Sequence, residues 1–467
     1  MNRLIYILFS FLFLQTAEVR SQDSLQKMGF DDFMTIVKKN HPLAKKADLR
    51  NAFGEAELLK SKGGFDPKAY SNIGQKYFND NQYYSLIDAG LKVPTWYGIE
   101  LYSGFEQGNG NFVNPERSTP ENGLVYGGIS VSVGQGLFID ERRAQLKKAK
   151  IYTKITEEER RILINELLLN ASKTYWKWYA TAQKVNVYDE AVELAEIRLE
   201  GVRESALVGD VPDIDTLEAL IQLQNRQVSY QQAELDYKNM TEALSVYIWD
   251  ENEVPLEISD KVTPPSQEEV LNKISTISQV EHVDSLIQYH PRLQKAQLDI
   301  DQLEIQKRWD AEKLKPTLDL KYNALNQPVN GNVFEGYSVN NYRWGLTFAM
   351  PLFLRKSRGE LNRTKLMIQD QKLGLDNLEA QVKFGVNAAV NTWRTTQSQL
   401  EIYSQTVNNV RKLLEGEQQK FMNGESSLFL VNSREVRFIN AQIDYFEALA
   451  KNQHALIEIQ YSLGILD

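Results

Sequence analysis

The feature that most restricts the fold of this chain is an internal repeat. Several short matches occur in the same order in both halves of the sequence. They are His41-Pro42 with His290-Pro291, Pro67 with Pro316, Leu137-Phe138 with Leu352-Phe353, Gly209 with Gly424, Asn225 with Asn440, and Gln227 with Gln442. The early pairs share one spacing and the later pairs share a shorter one, so an insertion lies in the first half, within 79–122. The ordered series predicts two tandem copies of one structural unit.

Each copy predicts the same order of elements: a short helix, two strands, a very long helix and a last helix. In the first copy the ranges are 42–62, 67–78, 124–134, 140–207 and 212–249. In the second they are 291–314, 316–326, 342–351, 355–421 and 427–463. A helix of about 68 residues extends on the order of 100 Å. We therefore expect the two shorter helices of each copy to pack end to end alongside the long one.

The domain boundaries follow from the repeat and from the N-terminal composition. The run from Leu4 to Leu14 is apolar after one basic residue, too short to span a bilayer but typical of a secretory signal. We predict a signal peptide, two repeats and a proline-containing linker between them. The expected ranges are 1–22 for the signal peptide, 23–250 for repeat 1, 251–283 for the linker and 284–467 for repeat 2.

The second strand of repeat 2 alternates between an apolar and a polar face. Its apolar face carries Tyr342, Trp344, Leu346, Phe348 and Met350, whereas Arg343 and Thr347 lie on the other face. One-sided, aromatic-rich strands of about 10 residues are typical of outer-membrane barrels. We predict that the apolar face contacts lipid and that Trp344, together with Trp96, belongs to an interfacial aromatic girdle.

This pattern predicts a mainly α chain with a membrane β-barrel that several copies share. The repeats supply four clear strands per chain, and four strands cannot close a barrel. Unpaired strand edges are not tolerated in lipid. Three chains would give a 12-stranded barrel and a long barrel of helices. The insertion 79–122 could add an extracellular hairpin, a further pair of barrel strands or a plug.

Charge and composition exclude several other classes of function. The chain has 53 basic and 62 acidic residues, which does not favour a nucleic-acid partner, and it has no cysteine for disulfides or thiolate metal sites. His41 and His290 precede proline at equivalent repeat positions, so helix-start geometry explains them. His282 and His454 are isolated, and the sequence predicts no metal, cofactor or catalytic residue. The alternative function is a soluble periplasmic adaptor-like coiled-coil protein, since adaptors also combine long helical hairpins with β segments.

The tandem repeat, the signal peptide and the order of strands and helices resemble the TolC-like outer membrane efflux protein family. The segment "FMNGESSLFLVNSREVRFINAQIDYFEALAKNQHALIEIQYSLGIL" near the end carries the same resemblance. It implies a homotrimer in the outer membrane, with a long α-helical barrel in the periplasm. It further implies a periplasmic adaptor protein and an inner-membrane transporter as partners, with export of small molecules or proteins.

Two breaks between helices are candidates for the periplasmic tip that the resemblance implies. Gly209 and Gly424 suit a left-handed position that ends a helix, and Pro212 suits the first turn of the next helix. These turns are where the family narrows and where an adaptor docks.

The acidic residues at the first break have two interpretations. Asp210, Asp213 and Asp215 would form a negative ring when repeated around an axis, or they simply complement a helix N-terminus. The second break has Ser426 and Leu430 where well-known members of the family carry an arginine and an aspartate. The constriction is therefore either acidic or apolar, the latter around Leu430.

Overall fold

The computed structural model describes residues 26–259, 261–272, 286–329 and 332–466. The predicted signal peptide, His282 and part of the predicted linker lie outside these residues. Within the ranges described, no helix is both long enough and apolar enough to cross a membrane.

The helices follow the predicted order closely. They are α1 (Phe30–Asn40), α2 (Pro42–Lys62), α3 (Glu141–Leu207), α4 (Asp213–Ser245), α5 (Gln267–Asn272), α6 (Pro291–Glu312), α7 (Arg355–Met422) and α8 (Leu428–Leu463). The long helices α3 and α7 contain 67 and 68 residues, so each extends on the order of 100 Å. The order of short helix, strands, long helix and last helix occurs in both halves of the chain.

The strands form one large antiparallel sheet and one short parallel pair. They are β1 (Gln26–Lys27), β2 (Lys68–Phe78), β3 (Asn81–Pro94), β4 (Ile99–Asn109), β5 (Leu124–Ser132), β6 (Val262–Thr263), β7 (Thr317–Asn326) and β8 (Tyr342–Ala349). The large sheet has the order β2-β3-β4-β5-β7-β8, and β1 pairs with β6. Because β5 pairs with β7, strands from the two halves of the chain form a single sheet.

The large sheet has six strands, whereas the sequence predicted four per chain. The additional strands β3 and β4 both come from the insertion, so the insertion supplies a strand pair rather than a plug or an isolated loop. This strand pair is one of the three alternatives that the sequence left open, because the alternation within 97–110 is weak.

The shorter helices pack end to end along the long ones, as predicted. Along α3, α2 lies against the first part and α4 against the last. Gly54 of α2 packs so closely on α3 that a Cβ would lie 2.4 Å from Thr156 Oγ1. Further along, the Trp178 indole N–H donates to Thr241 of α4 at 3.0 Å.

Two histidines mark the joints between these end-to-end helices. The Leu43 backbone N–H donates to His41 Nδ1 at 3.1 Å, and the Arg292 N–H donates to His290 Nδ1 at 3.2 Å. Each imidazole therefore caps a helix that begins with proline, and burial lowers the pKa of both rings. His41 also stacks on Tyr247, just beyond the end of α4. The predicted helix-start role of these histidines is confirmed.

Candidate functional site

The sheet has one continuous apolar face. Directly paired residues point to the same side of a sheet, so the register assigns the faces. This face includes Ala69 and Ile73 on β2, Ile87 and Leu91 on β3, Leu101 and Phe105 on β4, Ile129 and Val131 on β5, Leu320 and Tyr322 on β7, and Trp344 and Leu346 on β8. Most of these large side chains are exposed. An apolar surface that crosses six strands is not typical of a sheet face in water.

The candidate lipid-facing strand of the sequence analysis is part of this face. Tyr342, Trp344, Leu346 and Phe348 lie on β8 on one side of the sheet, and all four are exposed. Met350 follows the end of β8 and is also exposed. Each of the four residues on this face of β8 pairs with an apolar residue on β7, for example Trp344 with Tyr322.

Exposed aromatic residues lie at both ends of the apolar face. Trp96, Tyr97, Phe138 and Phe353 lie at the end that joins the helices, where Trp96 stacks on Phe65 with ring centroids 4.1 Å apart. The opposite end carries Tyr77, Phe78, Phe112, Phe334 and Tyr342. Ten residues of β7, tilted by about 40°, cover a height of about 25 Å between these ends. That height matches the apolar band of an outer-membrane barrel.

The opposite face of the sheet is polar and concave. Arg343 on β8 makes two hydrogen bonds of 3.0 Å to Glu106 on β4. Strands β5 and β7 lie between them, a separation of about 14 Å in a flat sheet, so the sheet curves around its polar face. The Tyr126 hydroxyl on β5 similarly donates to Asp88 on β3 at 2.9 Å.

An ionic cluster joins the sheet to the long helix α3. Glu100 on β4 lies 2.7 Å from Lys92 on β3 and 2.7 Å from Arg142, in the first turn of α3. The neighbouring Arg143 hydrogen-bonds Asp140, which caps α3 by accepting from the Arg143 backbone N–H at 2.8 Å. The direction in which α3 leaves the sheet is therefore fixed by charge-assisted contacts.

At the far end of the helices, both predicted tip turns have the same geometry. Gly209 has φ of 82° and Gly424 has φ of 77°, a conformation that favours glycine. Asp210 N–H donates to Ser205 O at 2.9 Å, and Glu425 N–H donates to Lys420 O at 2.8 Å. These are Schellman motifs, in which the last carbonyls of a helix are satisfied by the turn.

The residues around the first turn are open to solvent. Pro212 lies one residue before α4 as its N-cap, rather than inside its first turn, and Asp213 and Asp215 follow in that turn. Asp210 and Asp213 are exposed. Among the described residues, the carboxylates of these three aspartates make no hydrogen bond or ion pair. Asp213 and Asp215 complement the helix N-terminus through its dipole, and they remain available as surface charge.

The second turn combines a tethered serine with exposed apolar residues. The Ser426 hydroxyl donates to Glu417 on α7 at 2.6 Å, which holds the turn against the helix that precedes it. Glu417 also lies 3.5 Å from Arg434 on α8. Leu430 is in the first turn of α8 and is exposed together with its neighbour Phe429.

A buried ionic cluster behind the tip was not predicted from the sequence. Glu435 on α8 pairs with Arg198 on α3 and, at 2.7 Å, with Arg226 on α4. Glu435 is 2% exposed and Arg226 is 4% exposed. Burial alone would raise the pKa of Glu435, but the hydrogen bonds and charges of the two arginines offset this effect and hold the pKa below its usual value.

A sequence signal for this cluster did exist. The buried residues Leu428, Val431, Asn432, Glu435 and Ile439 follow the helical spacing of a core stripe, so two polar residues occupy core positions of α8. Asn432 also donates to Glu218 on α4 at 3.2 Å. The cluster therefore ties α8 to the hairpin of α3 and α4, although the two hairpins are far apart in sequence.

The chain matches known proteins in both sequence and fold. Residues 283–465 match the family model described as "outer membrane efflux protein". The Neisseria gonorrhoeae MtrE outer membrane channel, in its open state, superimposes with a TM-score of 0.68 at 13% identity, covering 95% of this chain and 93% of that chain. The family match covers less than half of the chain, in its second half, and the fold of nearly the whole chain is that of outer membrane channels.

Two further structures share the fold over nearly the whole chain. The Campylobacter jejuni CmeC outer membrane channel gives a TM-score of 0.62 at 15% identity, covering 93% of this chain and 85% of that chain. The Vibrio cholerae outer membrane protein VceC gives 0.64 at 11% identity, covering 93% and 96%. None of the curated proteins matches the chain significantly in sequence. The matched structures and the family are channels rather than enzymes.

Histidine and acidic residues do not assemble a metal site in the part of the chain that the structure describes. His454 lies on α8 at 3.6 Å from Glu458, and burial lowers the pKa of its imidazole. The histidines that cap helices use Nδ1 for a backbone N–H.

Proposed function

We propose that three copies of this chain form an efflux duct through the outer membrane. The observation that carries the proposal is the six-stranded sheet, which is apolar and aromatic on one face and ion-paired on the other. A sheet with these faces separates lipid from an aqueous lumen. Its edge strands β2 and β8 each have a strand partner on one side only among the described residues. Such edges need partners in a bilayer, and neighbouring copies supply them.

The helices continue this duct away from the membrane. Helices α3 and α7 would extend on the order of 100 Å into the periplasm, each flanked by shorter helices. A duct of that length brings its tip within reach of an inner-membrane transporter. We propose a periplasmic adaptor protein and such a transporter as partners, as in the tripartite systems of the family.

The tip turns are the proposed site of adaptor docking and constriction. Exposed apolar residues surround both turns: Leu207, Val208, Ile214 and Leu217 at the first, and Met422, Phe429 and Leu430 at the second. Apolar side chains exposed at one end of a long structure suit a protein partner. The free carboxylates of Asp210, Asp213 and Asp215 would make the entrance of a trimer negative and attractive to cations.

The sheet also distinguishes the duct from the alternative, a soluble adaptor-like protein. A soluble protein would have to cover the apolar face, yet Trp344, Leu346 and Phe348 remain exposed on it. The direct experiment is membrane fractionation after expression in a Gram-negative host. The protein should sediment with outer membranes, resist extraction by carbonate and require detergent for release. Release with the soluble periplasm would contradict the proposal.

A further inference from the structure

The inserted hairpin of β3 and β4 is built into the wall of the sheet. Its strands contain 14 and 11 residues, at least as long as the repeat strands β5, β7 and β8. The pairing of β3 with β2 runs from Lys92 to Asn81, and β4 pairs with β5 from Ile99 to Glu106. The insertion therefore separates β2 from β5, the two strands of repeat 1.

The interior of the sheet is shaped around this insertion. Tyr126 of repeat strand β5 lies across the inserted strands, where a Cβ at Gly104 would be 2.5 Å from its hydroxyl oxygen and one at Gly90 would be 3.1 Å away. The same hydroxyl donates to Asp88 on β3. Glycines of the insertion thus make room for a tyrosine of the repeat, which a hairpin outside the wall would not require.

The charges of the insertion are also paired with the rest of the chain. Glu106 on β4 binds Arg343 on β8, at the opposite edge of the sheet from β2. Glu100 on β4 binds Arg142 on α3. Both carboxylates lie on the polar face, whereas Leu91 and Leu101 of the insertion extend the apolar face.

We infer that each chain contributes six strands to the shared barrel, so that three chains build a barrel of about 18 strands. This inference rests on the trimeric duct of the proposed function. An even number of strands per chain keeps every contact antiparallel, because β8 of one copy runs opposite to β2 of the next. In a trimer, β8 of one copy thus pairs with β2 of one neighbour, and its β2 pairs with β8 of the other neighbour.

The perimeter of the helical tube supports this strand number. Twelve helices, spaced about 8–10 Å apart, have a perimeter of roughly 96–120 Å. Eighteen strands about 4.8 Å apart and tilted by about 40° have a perimeter of about 110 Å, whereas 12 such strands give about 75 Å. The insertion therefore lets the sheet continue the helical wall at nearly the same width. The barrel would then leave a wide aqueous lumen, and the size of the cargo would be limited at the tip.

Position-specific labels test the inference in the intact protein, which has no native cysteine to interfere. Single cysteines are placed at Leu91 and Leu101 on the insertion, labelled with a fluorophore and reconstituted in vesicles that contain a nitroxide lipid. Leu346→Cys on β8 is the lipid-facing reference, and Thr347→Cys is its neighbour on the polar face. Both insertion sites should be quenched as strongly as Leu346→Cys, and several-fold more than Thr347→Cys.

Disulfide formation gives an independent measurement. A chain with Leu101→Cys and Ile129→Cys, which are register partners on β4 and β5, should cross-link within itself. A chain with Leu346→Cys and a cysteine at Ala69 or Ile73 of β2 should cross-link between copies.

The two measurements separate the strand number from the duct itself. The six-strand contribution would be overturned if the cysteines at Leu91 and Leu101 reacted freely with water-soluble thiol reagents and their fluorophores escaped quenching by the nitroxide lipid. If copies still cross-linked through β8 and β2, the trimeric duct would stand without it. A monomer without cross-links between copies would overturn both.

Discussion

The sheet and the tip of this protein place their charges in opposite ways. At the sheet, large apolar side chains such as Trp344 and Phe348 are exposed, and charges such as Glu106 are paired on the concave face. At the tip, apolar side chains fill the space between helices, and Glu435 is a carboxylate buried among them with two arginines. The difference indicates that the two ends face different solvents: lipid around the sheet, and water around the helices.

The comparison also shows what holds each end together. The faces of the sheet are set by strict alternation, so a single strand reveals its orientation. The tip depends on contacts between helices distant in the chain, such as Arg226 with Glu435. Substitutions at the sheet should therefore act through the bilayer, and substitutions near the tip through packing and buried charge.

The largest effect is expected from charge on the apolar face of the sheet. Leu346→Lys with Phe348→Lys should abolish insertion, because a lysine near the middle of the bilayer costs about 2–4 kcal/mol at each position. The measurement is the amount of trimer in outer-membrane fractions, identified on gels as a band that dissociates on heating. Thr347→Lys, on the polar face, is the matched control and should assemble normally. Equal assembly of the two proteins would show that the faces are wrongly assigned.

The buried cluster behind the tip should give the next largest effect. Glu435→Ala leaves Arg226 buried without its carboxylate partner, which costs about 3–5 kcal/mol. We expect a lower midpoint of thermal unfolding for the helical region. Circular dichroism of the detergent-extracted protein measures this midpoint. Glu200→Ala breaks an exposed pair with Arg203 and should cost less than about 1 kcal/mol. Similar midpoints for the two variants would contradict the role of burial.

The helix joint at His290 should make stability depend on pH. Burial, with Arg292 and Arg161 nearby, lowers the pKa of His290 to about 4 from its ordinary value of 6.5. The unfolded chain therefore takes up this proton first, and stability is lost as the pH falls from about 6.5 to about 4. The loss amounts to about 3 kcal/mol at most.

An asparagine at this joint provides the comparison. His290→Asn keeps a capping acceptor but cannot titrate. Relative to this variant, the native protein should lose stability between pH 7 and pH 4, measured by denaturant unfolding at each pH. Parallel pH profiles for the two proteins would show that the His290 proton is not involved.

The acids of the first tip turn should have the smallest effect on stability and a clear effect on ion selectivity. Asp213→Asn with Asp215→Asn removes two charges from a helix N-terminus, at a cost of about 0.3–1 kcal/mol each. The measurement is the reversal potential in planar bilayers under a gradient of potassium chloride. The variant's reversal potential should lie further from the equilibrium potential of K⁺ than that of the native protein. Leu430→Ala should instead raise conductance and leave the reversal potential in place. A selectivity change caused by Leu430→Ala alone would identify the apolar residue as the filter.

Much of the fold could be predicted because its elements are long and periodic. The start of α6 at Pro291 and the alternation of β8 agree with the sequence patterns within a few residues. The helix-start role of His290 followed from its position before proline. The strand pair of the insertion was left open because the alternation within 97–110 is weak.

The helical spacing places Glu435 in a core stripe, but its partners could not be predicted from local patterns. Its partners Arg198 and Arg226 lie on helices more than 200 residues away, and periodicity indicates only which face is buried. The pairing becomes visible once the hairpins are packed. The same applies to Glu106 and Arg343, which meet only because the sheet is curved.

The mass of the detergent-extracted particle tests the central claim most directly. That claim is that the sheet of one chain is incomplete and closes only with sister copies. Light scattering corrected for detergent, or native mass spectrometry, should find three chains of the 53.7 kDa protein, less any signal peptide removed. A stable, folded monomer inserted in membranes would contradict the claim.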